Sequence, residues 1–380
     1  MYGVDRRTFI YMVVGAAVAG KAVAQSLPAD APLGFIPDPN FVAQAKKLLA
    51  AKPALDLHAH PGVTFMRDAL SPEVQHIVGP GPFESLRIAD MVAGGMAGSS
   101  FAAVADVEIL GLRKGALGWT REFRPGEARA SYERQIANLN EWVRKAGATI
   151  ALAPDDIVRL HSRKKIAALL TVEGGDFLAG DARYVRRAFT DGVRSITLVH
   201  YHPNDIGDNQ TAEPQSGGLT AFGREVVAEM DQVGMVIDVA HASEDTVRGV
   251  LKTTRNPVMC SHTLLAGHGP QNPRFISDAL ALEIAAQGGV IGAWPSGFGS
   301  ATMNDYIDHI LTLSRVVGPE HVGFGTDMDG NYKPVFNNYR QMPLLVSELL
   351  RRDYGAENTA AFLGGNFLRV FGKVWSGRSG

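Results

Sequence analysis

Short apolar runs alternate along the chain with longer segments in which apolar residues recur every three or four positions. Continuous apolar runs such as 166–170 are typical of strands that are buried on both faces, as in a parallel sheet. The spacing in segments such as 127–145 is typical of amphipathic helices. On this pattern we predict eight strands, at 54–60, 100–107, 166–173, 193–200, 235–241, 258–262, 290–294 and 322–327.

At least one predicted helix follows each of these strands. The predicted helices lie at 40–51, 86–94, 127–145, 154–163, 182–189, 220–233, 278–286, 305–316, 344–351 and 359–371, with Ser277 as the N-cap of the helix at 278–286. A further helix, capped by Ser243, contains residues 246–251. Eight such units in about 350 residues are the signature of a closed (β/α)8 barrel of the TIM type, an α/β fold. A doubly wound sheet is the alternative, but it would not ordinarily need eight units. No repeat or linker divides residues 25–380, which we therefore predict to form a single domain.

Composition narrows the classes of partner. Of the 380 residues, 46% are hydrophobic and 20% charged, which describes a globular chain with ample core. The net charge of −2 gives no reason to expect nucleic acid or an anionic membrane surface as a partner. The single cysteine, Cys260, rules out an internal disulfide framework and a cysteine-rich zinc site. It lies in an apolar run, which favours a buried structural thiol over a nucleophile.

The N-terminal segment has the pattern of an export signal. Arg6 and Arg7 form a twin-arginine pair, an apolar stretch follows at 9–20, and residues 22–24 offer a small-x-small cleavage site. The apolar stretch is too short to be a comfortable permanent span. We therefore predict a twin-arginine signal peptide at 1–24 and a periplasmic or secreted mature chain without a stable membrane span. A membrane anchor or a chance pair of arginines is the alternative.

Polar residues cluster where the predicted strands end. In a barrel of this kind the chemistry lies at the C-terminal ends of the strands. Five of the eleven histidines fall there, together with two carboxylates, while the second and seventh strands end in the weaker signals of Asp106 and Trp294. The residues at the stronger strand ends are His58, His60, Glu173, His200, His241, His262 and Asp327.

This set of donors predicts a metal centre, although any one of the histidines alone could be an ordinary core residue. Histidines with one or two bridging carboxylates suit Zn²⁺, or another divalent ion such as Mn²⁺, Fe²⁺ or Co²⁺. The donors exceed one tetrahedral shell, so we expect two ions per chain. A two-metal site makes a shared water acidic and polarises a substrate oxygen, and a nearby carboxylate can then move the proton. The predicted reaction class is hydrolysis.

The chain resembles the membrane (renal-type) dipeptidase family of zinc hydrolases, within the wider amidohydrolase-like barrels. The likeness is carried by segments 56–60, 172–175, 192–200 with Asn204, 218–223, 234–243, 257–263, 323–330 and 365–371. These segments occur in the same order along the chain as in the family, and they cover nearly the whole mature chain. Each segment is a weak signal alone, but together they are specific.

The resemblance implies a role for each matching residue. The implied metal ligands are His58 and His60 for the first ion, Glu173 as the bridge, and His241 and His262 for the second ion. The implied catalytic and substrate-binding residues are Asp327 as acid and base, His200 at the substrate and the tetrahedral intermediate, Arg274 at the terminal carboxylate of a dipeptide, and Asn204. Three other carboxylates are interpreted as loop-ordering residues rather than ligands, namely Asp56, Asp238 and Asp329.

One position departs from the family pattern. The dipeptidases usually have His-x-Asp at the first site, whereas this chain has His58-Ala59-His60. The change keeps a ligand but removes one negative charge, and wider amidohydrolases use His-x-His there. It therefore bears on the substrate more than on hydrolysis itself.

The resemblance implies a dipeptidase that cleaves the amide bond of a dipeptide or a small acyl-amino acid, with attack by a metal-bridging hydroxide, and the predicted signal peptide implies that this enzyme is exported. A second interpretation is hydrolysis of a lactone, an ester or a cyclic amide in the same pocket. A third is a metal-containing binding protein without turnover. The expected partner is a small-molecule or dipeptide substrate. Because the family often forms dimers, a homodimer is a further expectation.

Overall fold

The structure, a computed structural model, describes residues 27–68, 82–113 and 116–378. The predicted signal peptide at 1–24 lies outside the described residues. The strands are β1 (Leu55–Asp56), β2 (Gly98–Val104), β3 (Leu110–Arg113), β4 (Ala116–Trp119), β5 (Thr149–Ile150), β6 (Ala167–Glu173), β7 (Val193–Thr197), β8 (Val236–Asp238), β9 (Met259–Thr263), β10 (Val290–Ala293) and β11 (Val322–Phe324).

Helices separate most of these strands. They are α1 (Pro39–Ala51), α2 (Glu84–Gly94), α3 (Glu127–Lys145), α4 (Pro154–Ser162), α5 (Tyr184–Thr190), α6 (Ala221–Val233), α7 (Glu244–Thr253), α8 (Asp278–Ala286), α9 (Met303–Val317), α10 (Met342–Arg351), α11 (Ala356–Ala360) and α12 (Asn366–Ser376). Both predicted N-caps are confirmed, because Ser243 accepts from the Thr246 amide and Ser277 accepts from the Leu280 amide. In the described part of the chain we find no helix with the length and apolar character needed to cross a bilayer.

Eight strands form a parallel barrel in the order β1-β2-β6-β7-β8-β9-β10-β11. The barrel closes where the Leu57 amide donates to the Phe324 carbonyl at 2.8 Å and the His60 amide donates to the Met328 carbonyl at 2.8 Å. The predicted (β/α)8 fold is therefore confirmed, and the doubly wound alternative is wrong.

The interior of the barrel is packed with buried side chains, as its apolar strands require. Every residue of β2 and of β6 is buried, which explains why these strands show continuous apolar runs rather than alternation. Backbones also approach closely: a Cβ on Gly292 or on Gly325 would lie 1.8 Å from the Ser261 carbonyl oxygen. Outside the barrel, α3 buries residues at helical spacing, including Tyr132 and Ile136.

Several element boundaries differ from the prediction. The predicted first strand at 54–60 is a ladder only at Leu55–Asp56, and its two histidines lie in the loop that follows. A hairpin of β3 and β4, and the short strand β5 beside β6, were not predicted. The predicted helix 359–371 is divided by a π-helical segment at Ala361–Gly365. None of these differences alters which residues reach the C-terminal end of the barrel.

Candidate metal centre

The donors predicted from the sequence converge at the C-terminal end of the barrel. Glu173 is the last residue of β6, and His262 lies within β9. The others lie in the loops directly after their strands: His58 and His60 after β1, His200 after β7, His241 after β8, and Asp327 after β11. All of them are buried, with exposed fractions of 9% or less.

The first group of donors is His58, His60 and Glu173. The Nε2 atoms of His58 and His60 lie 3.3 Å apart. Glu173 Oε1 is 3.2 Å from Nε2 of His58, and Oε2 is 3.3 Å from Nε2 of His60. These separations match the roughly 3.3 Å edges of a tetrahedron around Zn²⁺ with metal–ligand distances of about 2.0–2.1 Å.

The second group shares Glu173 and adds His241 and His262. Nε2 of His241 is 3.0 Å from Glu173 Oε1 and 3.1 Å from Nε2 of His262. Nε2 of His262 lies farther from the same carboxylate oxygen, at 3.8 Å. Each group therefore offers one carboxylate and two imidazoles, with Glu173 between them, and the donor set fits two divalent ions.

Neighbouring groups fix the orientation of the imidazoles. Nδ1 of His60 donates to the Ala102 carbonyl at 3.3 Å, and Nδ1 of His262 lies 3.0 Å from the Ser261 hydroxyl. Such contacts at the second nitrogen hold a ligating ring in place and leave Nε2 for the metal. His241 adopts a φ of 65°, which is uncommon for a residue other than glycine and is typical of strained functional positions.

The electrostatics of the site suit cation binding. Burial holds the pKa of His241 and of His262 well below the usual value, so both rings are neutral, as ligands must be. Burial would raise the pKa of Glu173, but the charges of His200 and His58 hold it well below its usual range, so this carboxylate is ionised.

Asp327 faces His60 of the first group. Burial lowers the pKa of His60, but hydrogen bonds with Asp327 and Glu173 raise it to about 10. Asp327 Oδ1 lies 3.4 Å from Nε2 of His60 and 4.0 Å from Nε2 of His58. A divalent ion would replace the proton that these carboxylates attract. Asp327 is thus close enough to this position to exchange a proton with a group held there.

His200 has a partner that the sequence prediction left without a role. Nδ1 of His200 lies 2.7 Å from Oδ1 of Asp106, and its Nε2 lies 3.4 Å from Oε2 of Glu173. Burial lowers the pKa of His200, but the Asp106 and Glu173 charges raise it overall. The only signal for Asp106 in the sequence was its place at the end of a predicted strand.

Arg274 reaches the second group of donors from the loop after β9. Its Nη2 lies 3.0 Å from Nε2 of His262, and its Nη1 donates to Oε1 of Gln210. The side chain is 4% exposed, and within the described residues its Nε has no partner. A buried guanidinium with a free donor can hold a substrate carboxylate. Gln210 had no signal in the sequence.

The structure places Asn204 within its own loop. Its amide nitrogen donates to the Leu198 carbonyl at 3.1 Å and to Asp176 at 3.4 Å, and its oxygen accepts from the Ile206 amide. Among the described residues it makes no hydrogen bond to the two donor groups, so its substrate-binding role stays a prediction.

The carboxylates interpreted as loop-ordering residues have that role. Asp329 accepts from the Gly62 amide and pairs with Arg87 at 2.6 Å. Asp56 accepts from the Thr326 amide and from the Tyr339 hydroxyl, and it does not belong to either donor group.

Asp238 and Cys260 are also structural. Asp238 accepts from the Ala240 and Ser261 amides and from the Thr197 hydroxyl. Cys260 is 2% exposed, and burial raises the pKa of its thiol, so it is not poised as a nucleophile.

The chain is similar to several known proteins. It is 34% identical to Dipeptidase aclJ of Aspergillus oryzae over 224 residues, which cover 56% of this chain and 53% of that protein. The chain spans about half the length of the curated relatives it matches.

Solved structures share the fold. The probable dipeptidase PvdM from Pseudomonas aeruginosa superposes with a TM-score of 0.73 at 20% identity, covering 89% of this chain and 99% of that one. A metallopeptidase from Rhodobacter sphaeroides, solved with a phosphinate mimic of the dipeptide L-Ala-D-Ala, gives a TM-score of 0.70 at 20% identity, covering 85% and 99%.

A family model extends the likeness over most of the sequence. The model of the membrane dipeptidases, peptidase family M19, matches residues 42–378. This range begins within α1 and contains all eight barrel strands and every residue of the two donor groups. The chain therefore belongs to the membrane dipeptidase family, peptidase family M19.

Proposed function

We propose that this protein is a metal-dependent dipeptidase with two metal ions per chain, which hydrolyses the amide bond of a dipeptide or a small acyl-amino acid. The observation that carries the proposal is that Glu173 is shared by two groups of buried imidazole donors. When bound, such a pair of ions would lower the pKa of a water molecule and polarise the scissile carbonyl. The nitrogen and oxygen donors suit Zn²⁺, and Mn²⁺, Fe²⁺ and Co²⁺ remain compatible with them.

Three residues around the two groups of donors have separate roles in the proposed reaction. Asp327 accepts a proton from the attacking water and passes it to the leaving amine, for which its place 3.4 Å from Nε2 of His60 is suitable. His200, doubly protonated beside the Asp106 carboxylate, donates from Nε2 to the oxygen that becomes negative in the transition state. Arg274 binds the substrate's terminal carboxylate and so determines which amide bond lies next to the metal centre.

The substrate class follows from Arg274 and from one solved relative. A buried arginine beside the second group favours substrates with a free carboxylate one residue from the scissile amide. The Rhodobacter sphaeroides metallopeptidase was solved with a mimic of L-Ala-D-Ala. We therefore propose that dipeptides with a D-configured C-terminal residue are among the substrates.

His60 is the residue of the site that differs from the family pattern. It stands where the family usually has aspartate, so the first group carries one negative charge fewer. A less negative site makes a bound water more acidic and binds an anionic substrate with less repulsion. The same feature favours the alternative function, hydrolysis of a lactone, an ester or a cyclic amide, since wider amidohydrolases use His-x-His.

We further propose that the chain is exported. The support is the twin-arginine pair Arg6–Arg7 with the apolar stretch and small-x-small site that follow it. A mature chain beginning near residue 25 would act in the periplasm or outside the cell, and a homodimer is the proposed assembly.

The variant Arg274→Ala distinguishes the proposed dipeptidase from the alternative, a hydrolase of a lactone, an ester or a cyclic amide. Arg274→Ala is expected to lower kcat/KM for a dipeptide with a free carboxylate by about 30- to 10³-fold, because a buried charged contact worth about 2–4 kcal/mol is lost. The measurement compares each dipeptide with its C-terminal amide, for which wild type and variant should be nearly equal.

The control is Arg248→Ala, which removes a partly exposed arginine of α7 that pairs with Glu283. This variant should keep wild-type kinetics on both substrates. An equal loss on the acid and the amide would contradict the proposed role of Arg274.

Metal removal tests the centre itself. Dialysis against a chelator is expected to abolish hydrolysis, and addition of Zn²⁺, Mn²⁺ or Co²⁺ should restore it with about two ions per chain. The unfolding temperature should rise with the metal, because each site at 100 times its Kd adds about 2.7 kcal/mol to the free energy of unfolding. Two ions with no hydrolysis across L,L and L,D dipeptides would instead support a binding protein.

A further inference from the structure

Asp106 is the most deeply buried carboxylate near the centre that has no part in the proposed reaction. Its side chain is 0% exposed. Oδ1 lies 2.7 Å from Nδ1 of His200, and Oδ2 accepts the backbone N–H of His202 at 3.1 Å. Both oxygens therefore bind donors of one short loop. A buried carboxylate is costly unless it is hydrogen-bonded, so this pair of contacts stabilises one arrangement of the loop.

The strand ends that carry Asp106 and His200 are fixed to the strand that carries Glu173. The amide of Ala105 donates to the Glu173 carbonyl at 2.8 Å. Between them lies Gly174, with a φ of 96°, where an added Cβ would lie 3.1 Å from the Ala105 Cβ and 3.4 Å from the His200 Cβ. The close approach needs glycine at this position. The backbone segments that carry these three side chains are thus in close contact with one another.

The contact with Asp106 determines which ring nitrogen of His200 faces the centre. The imidazole is held edge-on by Tyr201 and His241, whose ring centroids lie 4.6 and 4.5 Å away. With Nδ1 on Asp106, Nε2 points towards Glu173 at 3.4 Å. A flipped ring would place a carbon against the carboxylate and lose the hydrogen bond. An acceptor at Nδ1 also keeps a proton on that nitrogen.

We propose that Asp106 is a positioning residue that acts through His200: it holds the ring so that Nε2 faces the substrate oxygen. This inference rests on the proposed function, since it concerns the same reaction. Asp106 itself touches neither substrate nor metal.

The first test is Asp106→Asn, which keeps the shape but offers one acceptor to two N–H donors. We expect kcat to fall roughly 10²–10³-fold, as for loss of a group that stabilises the developing charge, with KM changed by less than about threefold. Metal content should stay at the wild-type value. A loss confined to KM or to metal content would indicate a merely structural role and overturn the proposal.

The matched control is Asp231→Asn. Asp231 also accepts two hydrogen bonds, from the Thr254 hydroxyl and the Asn256 amide at 2.9 Å each, but it lies on α6 at the other end of the barrel. The variant undergoes the same chemical change and should keep wild-type kcat.

A double-mutant comparison tests whether Asp106 acts through His200. If it does, His200→Ala combined with Asp106→Asn should be within about twofold of His200→Ala alone, because the contact is already absent. Two losses that multiply would show an independent effect and overturn the proposal.

A measurement without turnover separates this inference from the proposed function. In metal-loaded protein labelled with ¹⁵N-histidine, His200 should show a proton on Nδ1 that is protected from solvent, assigned by its absence in His200→Ala. Absence of that proton in wild type would overturn the role of Asp106 even if dipeptides are cleaved. Protein that shows the proton but cleaves no dipeptide would overturn the proposed function and leave the contact established. The wild-type measurement does not depend on whether Asp106→Asn folds.

Discussion

Replacing Glu173 with glutamine is expected to abolish binding of both metal ions and to lower kcat by about 10³-fold or more, because several kcal/mol of charge stabilisation in the transition state are lost. Glu173 is the one donor common to both groups, with its oxygens 3.0–3.3 Å from three imidazole nitrogens. A neutral amide is a poor bridge between cations. The measurements are metal content by elemental analysis and kcat on a dipeptide.

Glu348→Gln is the matched control. Glu348 is 1% exposed and pairs with Arg351 and Arg352, but it lies on α10 and outside both donor groups. The control should lose some thermal stability and keep metal and activity. If Glu173→Gln still binds two ions per chain, the shared-carboxylate geometry does not describe the metal centre.

Replacing Asp327 with asparagine is expected to lower kcat by about 10²–10⁴-fold, the usual contribution of a general acid and base. Metal content should change little, because the first group keeps His58, His60 and Glu173. Asp327 has a φ of 56°, which asparagine tolerates as readily as aspartate, so the backbone should not be disturbed. The measurement is kcat and metal content on the same preparation.

The control for this substitution is Asp353→Asn. Asp353 has the same φ of 56°, but it is exposed after the end of α10. Equal activity in wild type and control would show that the chemical change alone is harmless in this backbone conformation. Asp327→Asn with unchanged kcat would exclude Asp327 as the proton-transfer group.

Much of the barrel was predictable, because its strands are buried on both faces and are separated by amphipathic helices. The hairpin of β3 and β4 was not, since β3 is half exposed and carries only four residues with weak alternation. The first strand was predicted too long, because apolar and polar residues alternate at 57–60 as they do in a strand, although the backbone leaves the ladder after Asp56. The sequence pattern indicates which residues are buried, and the residues of the loop after this strand are buried as well.

The metal donors were predictable because each lies at or just after the C-terminal end of a strand, and parallel strands end at one edge. Asp106 and Gln210 show the limit of this reasoning. Asp106 meets His200 across 94 residues of sequence, and Gln210 meets Arg274 across 64. Those contacts depend on side-chain directions between adjacent strand ends and loops, which composition and spacing do not encode.

The seam where the barrel closes has a consequence for the order of events during synthesis. At the seam, the Asp327 amide donates to the His58 carbonyl at 2.8 Å, and Asp56 binds Thr326 across 270 residues of sequence. Contacts so distant in sequence form slowly, because a long loop must be closed before they contribute. A growing polypeptide that has not reached residue 328 cannot hold its first pair of histidines in place. We therefore expect the protein to bind metal ions only after the ribosome has translated the whole barrel.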